Sequence, residues 1–286
     1  MRGGPHQVFW AIERRWGSPR SPQGLRYALL ACVIASCATT GSRDASGHPE
    51  GRTLSRTAVS GPLGSGTTQL LTVISSDWDT FHATLRRYER KPEGDWQEVG
   101  GATPVVLGHA GYGWGRGLHG NGAPAGHGGP TKREGDGRSP AGVFKVGPIY
   151  GYEPPPPQVS LAYVETTPLL RCVDDPGSLL YNRIVSASYQ AKDWRSAELM
   201  LREDDHYEIA ILVAHNANPA VPGAGSCIFL HVWEGPDVAV RGCTAMAKPV
   251  LRTLSQWLEP GAAALVALPK AEYDALTDAW GLPTRR

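Results

Sequence analysis

Two side chains in this sequence have the types and spacing to carry covalent chemistry. His231 lies in the apolar run Cys227-Ile228-Phe229-Leu230-His231-Val232-Trp233, and Cys243 follows twelve residues later, directly after Gly242. A thiol is a strong nucleophile as its thiolate, and a free cysteine has a pKa of about 8.5. A neighbouring imidazole can take that proton. Taken alone, a histidine in an apolar strand is as readily a core residue as a base, so the elements around the pair have to decide.

Those elements read as follows. Cys227 to Trp233 is apolar on both faces of a period-2 pattern, which predicts a central strand. In that strand His231 shares a face with Cys227, Phe229 and Trp233. Val250, Leu251, Leu254, Trp257 and Leu258 have helical spacing, and Pro249 suits a first turn, so a helix is expected over Lys248 to Leu258. Gly242-Cys243-Thr244 is therefore expected just before a helix. Free amides and positive potential there would lower the thiol pKa and hold an oxyanion.

Upstream, short strands are expected at Gln69–Ser75, Thr80–Arg90, Trp96–Val99, Thr103–Leu107 and Val143–Val146, and again at Leu169–Cys172, Tyr207–Ala214 and Ala262–Leu268. Ala197 to Arg202, after Ser196 as a cap, is expected as a short helix, and Pro269 to Trp280 as a C-terminal one. The fold class is thus mainly β with a few helices. Gly108 to Gly129 reads as a long loop with ten glycines plus His109, His119 and His127. Histidine spacings of ten and eight, with no interleaved carboxylate or cysteine, match no metal-ligand pattern, so no metal site is assigned. His215 ends the Tyr207–Ala214 strand and is a candidate contact at the site, with Asn216 beside it.

Of 286 residues, 41% are hydrophobic, enough for a sizeable core, and the 35 glycines and 24 prolines argue against a helical bundle. The formal charge of +1 is unevenly placed: residues 1–36 carry five arginines and one glutamate, leaving 1 − 4 = −3 for the rest. Such a body suggests no nucleic-acid partner. Arg14, Arg15, Arg20 and Arg26 precede an apolar run, Tyr27 to Ala35, far short of the roughly 20 residues of a membrane span. Residues 1–36 are therefore read as a signal peptide. Ile34-Ala35-Ser36-Cys37 resembles the lipobox of bacterial lipoproteins, which implies lipidation of Cys37 and, with Ala38 next, outer-membrane retention in the periplasm; the alternative is an ordinary cleavable signal, with Ala35 and Ala38 serving a general signal peptidase. Residues 37–66, rich in Ser, Gly and Thr, are expected to be a flexible tether, and 67–286 a single domain.

Cysteine arithmetic bears on the nucleophile. Cys32 leaves with the signal and Cys37 takes lipid, so Cys172 and Cys227 remain beside Cys243. In an oxidising compartment those two either pair or stay as buried free thiols. Pairing would stabilise the fold by roughly 4 kcal/mol in the entropic account.

Three blocks in order resemble one family. His231, the Glu234 to Val240 turn and Gly242-Cys243-Thr244 are similar to the signature of L,D-transpeptidases with a YkuD-type catalytic domain, extracytoplasmic enzymes of bacterial peptidoglycan. Gly137-Arg138-Ser139-Pro140-Ala141-Gly142-Val143-Phe144 resembles the family's Thr-Pro-x-Gly-x-Phe strand entry, and Gly223-Ala224-Gly225-Ser226 also has the family's form. Arg241 stands where the family has a histidine, and the His231–Cys243 spacing is shorter than in the best-known members, as in a divergent branch. The resemblance implies a catalytic β-sandwich over about Gln69 to Leu268. It also implies Cys243 as nucleophile, His231 as base, and amides at Gly242 and Arg241 holding an oxyanion. Ser226, Gly225, Thr244, His215 and Asn216 would line the substrate. Arg241, Arg133 or Lys132 would hold a substrate carboxylate, or else be ordinary solvated charges. The implied reaction is cysteine acyl transfer on stem tetrapeptides with release of the terminal D-alanine, by a monomer and without cofactor. A carboxypeptidase or amidase on the same fold, and a non-catalytic peptidoglycan-binding lipoprotein, are the competing readings.

Overall fold

The computed structural model describes residues 61–91, 94–188 and 192–284. The signal segment, Cys37 and most of the expected tether lie outside the described residues. The last part of that tether is packed: Leu63 is buried in the core, and Gly61 lies against the backbone of Trp280. The folded body therefore reaches back at least to Gly61, ahead of the expected start at 67. The physical reason is one leucine, which gains about 2 kcal/mol by leaving water.

The chain opens with β1 (Gln69–Ser75), whose residues are all buried, then β2 (His82–Glu89), β3 (Gln97–Glu98) and β4 (Thr103–Val106). The glycine-rich segment is not all loop. It contains β5 (Tyr112–Trp114), wholly buried, and the small β6 (Arg116–Gly117) and β7 (Gly120–Asn121) ribbon. Glycine there permits close approach: a Cβ on Gly115 would lie 2.8 Å from the His215 ring and 2.9 Å from Pro140. β8 (Ser139–Gly151) is thirteen residues long, and β9 (Tyr163–Glu165) pairs with its far end.

Next comes a separate three-stranded flap, β10 (Leu170–Val173), β11 (Ile184–Ser186) and β12 (Ala197–Leu199), with β10 in the middle. The expected helix after Ser196 is this β12. Tertiary pairing with β10 overrides a weak local helix signal over so short a segment. A one-turn 3₁₀ helix, Asp205–Tyr207, leads into β13 (Ile209–Val213), followed by β14 (Phe229–Val232) and β15 (Thr244–Met246). Then α1 (Lys248–Trp257), β16 (Ala263–Pro269) and α2 (Lys270–Trp280) complete the described fold.

The main sheet runs β1-β16-β8-β13-β14-β15-β4-β2, and β2 also pairs with β1, so the sheet closes on itself. Closure gives one main interior, where Leu71, Val73, Val143, Phe144, Ile211, Leu230 and Val266 have almost no exposure, and a second buried cluster holds Tyr150, Phe229 and Cys243. α1 turns Leu251 and Leu254 inward, and α2 turns Tyr273, Leu276 and Trp280. α2 ends at Gly281, left-handed at φ 63°, a conformation glycine adopts without penalty. The result is the mainly-β class expected from the sequence.

Candidate active site

β14 and β15 are parallel, with Leu230 beside Thr244 and His231 beside Ala245. Cys243 stands just before β15 and packs in one buried cluster with Phe229 and Tyr207, and the Tyr207 ring lies against both Phe229 and His231, so the thiol and the imidazole are on the same side of β14. The ladder also holds the sulfur: the Phe229 N–H donates to Cys243 Sγ at 3.3 Å, and the thiol donates to the Cys227 carbonyl at 3.5 Å.

His231 is oriented by its own strand. Its Nδ1 lies 2.8 Å from the Val232 carbonyl. A carbonyl can only accept, so Nδ1 carries the proton and Nε2 is the basic nitrogen. Burial drives both members toward their neutral forms. It lowers the His231 pKa to about 4 and pushes the Cys243 thiol up to about 12, with the charge of Glu198 adding to that rise. The resting pair is thiol and imidazole. The expected help from a helix terminus does not operate here: β15 separates Cys243 from α1, which starts at Lys248. The potential of a helix end fades within its first turn.

The Ser139-Pro140-Ala141-Gly142 block reaches Cys243 through its serine. Ser139 is fully buried, accepts from the Gly108 N–H at 2.9 Å and donates to the Cys243 carbonyl at 2.7 Å. Gly242 is buried next to the Arg138 carbonyl, whereas Arg241 is exposed at the rim. Lys132, expected either to hold a substrate carboxylate or to be a solvated charge, is buried: its ammonium pairs with Asp136 at 2.5 Å and donates to the Arg133 carbonyl at 2.6 Å.

The residues expected to line the substrate make the following contacts within the fold. His215 is 1% exposed, accepts from the Arg116 N–H at Nδ1 and donates from Nε2 to the Ala224 carbonyl at 2.9 Å. Asn216 donates to the Val221 and Gly225 carbonyls and accepts from the Val221 N–H. Both brace the 216–225 loop. Ser226 donates to Glu134 at 2.7 Å, and Tyr181 bonds the same carboxylate oxygen while accepting from the Gly225 N–H. Thr244 is buried within β15. The three histidines of the glycine-rich segment go separate ways: His119 accepts from the Val143 N–H, His127 pairs with Glu272, and His109 lies under Gly137.

Cys172 and Cys227 are joined by a disulfide, which ties the flap to the main sheet two residues before β14. Cys227 lies outside the strand expected to contain it. It is left-handed at φ 54°, with its N–H held by Asn182 Oδ1 at 2.9 Å. Two further side chains had no recognisable signal in the sequence. Tyr207 lies edge-on to His231, with ring centroids 5.4 Å apart, and its hydroxyl donates to Glu198 of β12 at 2.7 Å. An isolated Glu between Ala197 and Leu199, and a Tyr before an apolar strand, look like surface residues until the flap is folded over.

A family model described as the YkuD L,D-transpeptidase catalytic domain matches residues 94–266, more than half of the chain, spanning Ser139, Glu198, Tyr207, His231 and Cys243. A search of curated proteins gave no match.

Proposed function

The chain belongs to the YkuD family of L,D-transpeptidase catalytic domains, and from that membership we propose that it is a peptidoglycan L,D-transpeptidase with Cys243 as nucleophile and His231 as base. The observation that carries the assignment is the fixed imidazole. Nδ1 is tied to the Val232 carbonyl, which leaves Nε2 as the basic nitrogen on the side of β14 where the thiol packs.

Because both groups rest neutral, the thiolate forms as the bond to carbon forms. Cys243 Sγ attacks the carbonyl of the third residue of a stem tetrapeptide, and His231 Nε2 takes the thiol proton. Main-chain amides at Gly242 and Cys243 face the developing oxyanion. The intermediate collapses to a thioester, and the imidazolium returns its proton to the departing amine of D-alanine. An acceptor amine then attacks the thioester, transfers its proton to His231 and releases Cys243. A hydrolytic outcome requires only water in place of that amine.

Intact-protein mass after incubation with a carbapenem tests the nucleophile, with a single adduct expected that is lost in Cys243→Ala. Absence of an adduct on the folded wild type would overturn the assignment. Muropeptide analysis then separates the products: cross-linked dimers are expected, and shortened monomers alone would make the enzyme a carboxypeptidase. Anchoring at the outer membrane through Cys37 is part of the same proposal. It is supported by the Ile34-Ala35-Ser36-Cys37 segment and is tested by fatty-acid labelling of wild type and Cys37→Ala.

A further inference from the structure

Lys132 comes to the site from the turn ahead of β8. It is 5% exposed, and its side chain runs between two glycines. A Cβ on Gly225 would lie 3.0 Å from Lys132 Cε and 3.2 Å from Cγ, and a Cβ on Gly242 would lie 3.8 Å from Nζ. The ammonium is therefore set against the residue that immediately precedes Cys243. Two of its three hydrogens have partners among the described residues, Asp136 Oδ1 at 2.5 Å and the Arg133 carbonyl at 2.6 Å. Asp136 also accepts from the Arg133 and Arg138 N–H groups at 2.7 and 2.9 Å, so the 132–138 turn closes around the pair. Burying two charges is a poor way to gain stability, because desolvation offsets most of their attraction. A cation held in this position calls for another role.

We propose that Lys132 is a positioning residue of the acyl transfer: a fixed positive charge beside the Gly242–Cys243 peptide that favours the negative charge developing on Cys243 Sγ and on the tetrahedral oxyanion. This rests on Cys243 being the nucleophile. Lys132 exchanges no proton. As the C–S bond forms, the S–H bond breaks and His231 Nε2 takes the proton, and the carbonyl electron pair moves onto oxygen. The resting pair is neutral, so the ammonium meets this negative charge only as the reaction proceeds. An interaction that is stronger in the transition state than in the ground state raises the rate. Burial strengthens it, since salt screens a buried charge much less than an exposed one.

The other charges around the two groups set the balance. Burial dominates at Cys243 and raises its pKa; Glu198 of β12 adds to the rise, whereas the Phe229 N–H and the Lys132 charge oppose it. His231 of β14 and Tyr207 also pack there, and burial keeps both neutral. Around Lys132, Asp136 is the opposing charge within its own turn. The His215 ring meets the same side of Gly225 as the lysine stem. Burial lowers the His215 pKa to about 3, and the Lys132 charge lowers it as well, so His215 brings no second cation.

The test compares wild type, Lys132→Met, Lys132→Arg and Asp136→Asn as full chains. Two rates are measured: iodoacetamide alkylation of Cys243 from pH 6 to 10, and single-turnover acylation by a carbapenem. Met fills the space between the two glycines without a charge. It is expected to need about one pH unit more to reach a given alkylation rate, a tenfold loss at fixed pH. Its acylation at saturating carbapenem should fall at least tenfold, with little change in the concentration giving half the maximal rate. Arg keeps the charge and should stay within about threefold of wild type. Asp136→Asn removes the opposing charge, so its alkylation profile should move the other way, to lower pH. A turn that merely supports the fold would slow both the Met and Asn variants in the same direction. Alkylation profiles of folded Lys132→Met and wild type that superimpose, or acylation within twofold, would overturn the proposal. If Lys132→Met does not fold, Asp136→Asn decides by the sign of its shift, and an unmoved or upward profile would sink the idea. A wild type that alkylates but forms no carbapenem adduct would overturn the nucleophile assignment, a result distinct from the alkylation shifts, which read the thiol alone.

Discussion

Cys172 and Glu198 face each other across the flap, and this pairing joins two properties of the site. Through Cys172, the flap is bonded to Cys227, whose carbonyl accepts from the Cys243 thiol at 3.5 Å. Through Glu198, the same flap holds Tyr207. Whatever fixes the flap therefore fixes the environment of Cys243.

Reduction of that disulfide should be felt twice. The bridge closes a sequence separation of 55 residues, for which chain entropy gives roughly 4 kcal/mol of stabilisation. Cys172→Ser with Cys227→Ser is expected to lose about 2–4 kcal/mol in urea unfolding. It should also slow carbapenem acylation more than tenfold at temperatures where the protein is fully folded. Normal acylation in the folded double variant would show that the flap is not needed to order the site.

Ser139→Ala should destabilise by about 1–3 kcal/mol, because the Gly108 N–H and the Cys243 carbonyl would be left buried without their partner. Acylation should fall as the nucleophile's backbone loosens. Ser139→Thr should restore most of both, which denaturation curves and adduct rates would read side by side.

Thiol chemistry in the free enzyme should follow the burial of the pair. With Cys243 pushed up to about 12 and His231 down to about 4, no ion pair is present at neutral pH. Iodoacetamide labelling of Cys243 should be slow at pH 7 and rise steadily toward pH 10. A rate that is flat from pH 6 to 9 would indicate a preformed thiolate.

Stability should fall on acidification. His231 and His215 titrate in the fold at about 4 and about 3, against about 6.5 in the unfolded chain. Below pH 6.5 the unfolded state therefore binds more protons, and stability drops by up to about 1.4 kcal/mol per pH unit for each histidine. The contribution is complete above pH 6.5 and is lost as pH falls toward 4. Urea midpoints between pH 7 and 4 would measure it, and His215→Asn should reduce the slope. A flat profile would contradict neutral burial of both rings.

Arg241→Ala should leave stability within about 0.5 kcal/mol, since the side chain is exposed. A large loss of folding would show that it is more than a rim residue.

Much of this protein is local in origin, and that part was readable from the order of residues. Short runs rich in apolar and β-branched residues specify a strand locally, so β1, β4, β14 and β16 are legible within a residue or two. The spacing of His231 and Cys243 marked them as a candidate pair, and cysteine arithmetic narrowed the bridge to Cys172 and Cys227. Contacts between distant segments were not readable, because they depend on how the sheet closes and where the flap lands. His215 and Asn216 looked like site residues but spend their polar atoms on a loop. Lys132, read as a carboxylate contact or a solvated charge, is buried. Ser139 touches Cys243 across 104 residues. Glu198 meets Tyr207 only because β12 is a strand paired with β10, whereas a helix at the same positions would have aimed the carboxylate elsewhere. Sequence by itself set the elements and the reactive pair, since propensity and periodicity are short-range. Tertiary structure alone decided the protonation states of the pair, since desolvation and hydrogen-bond partners come from residues far apart along the chain.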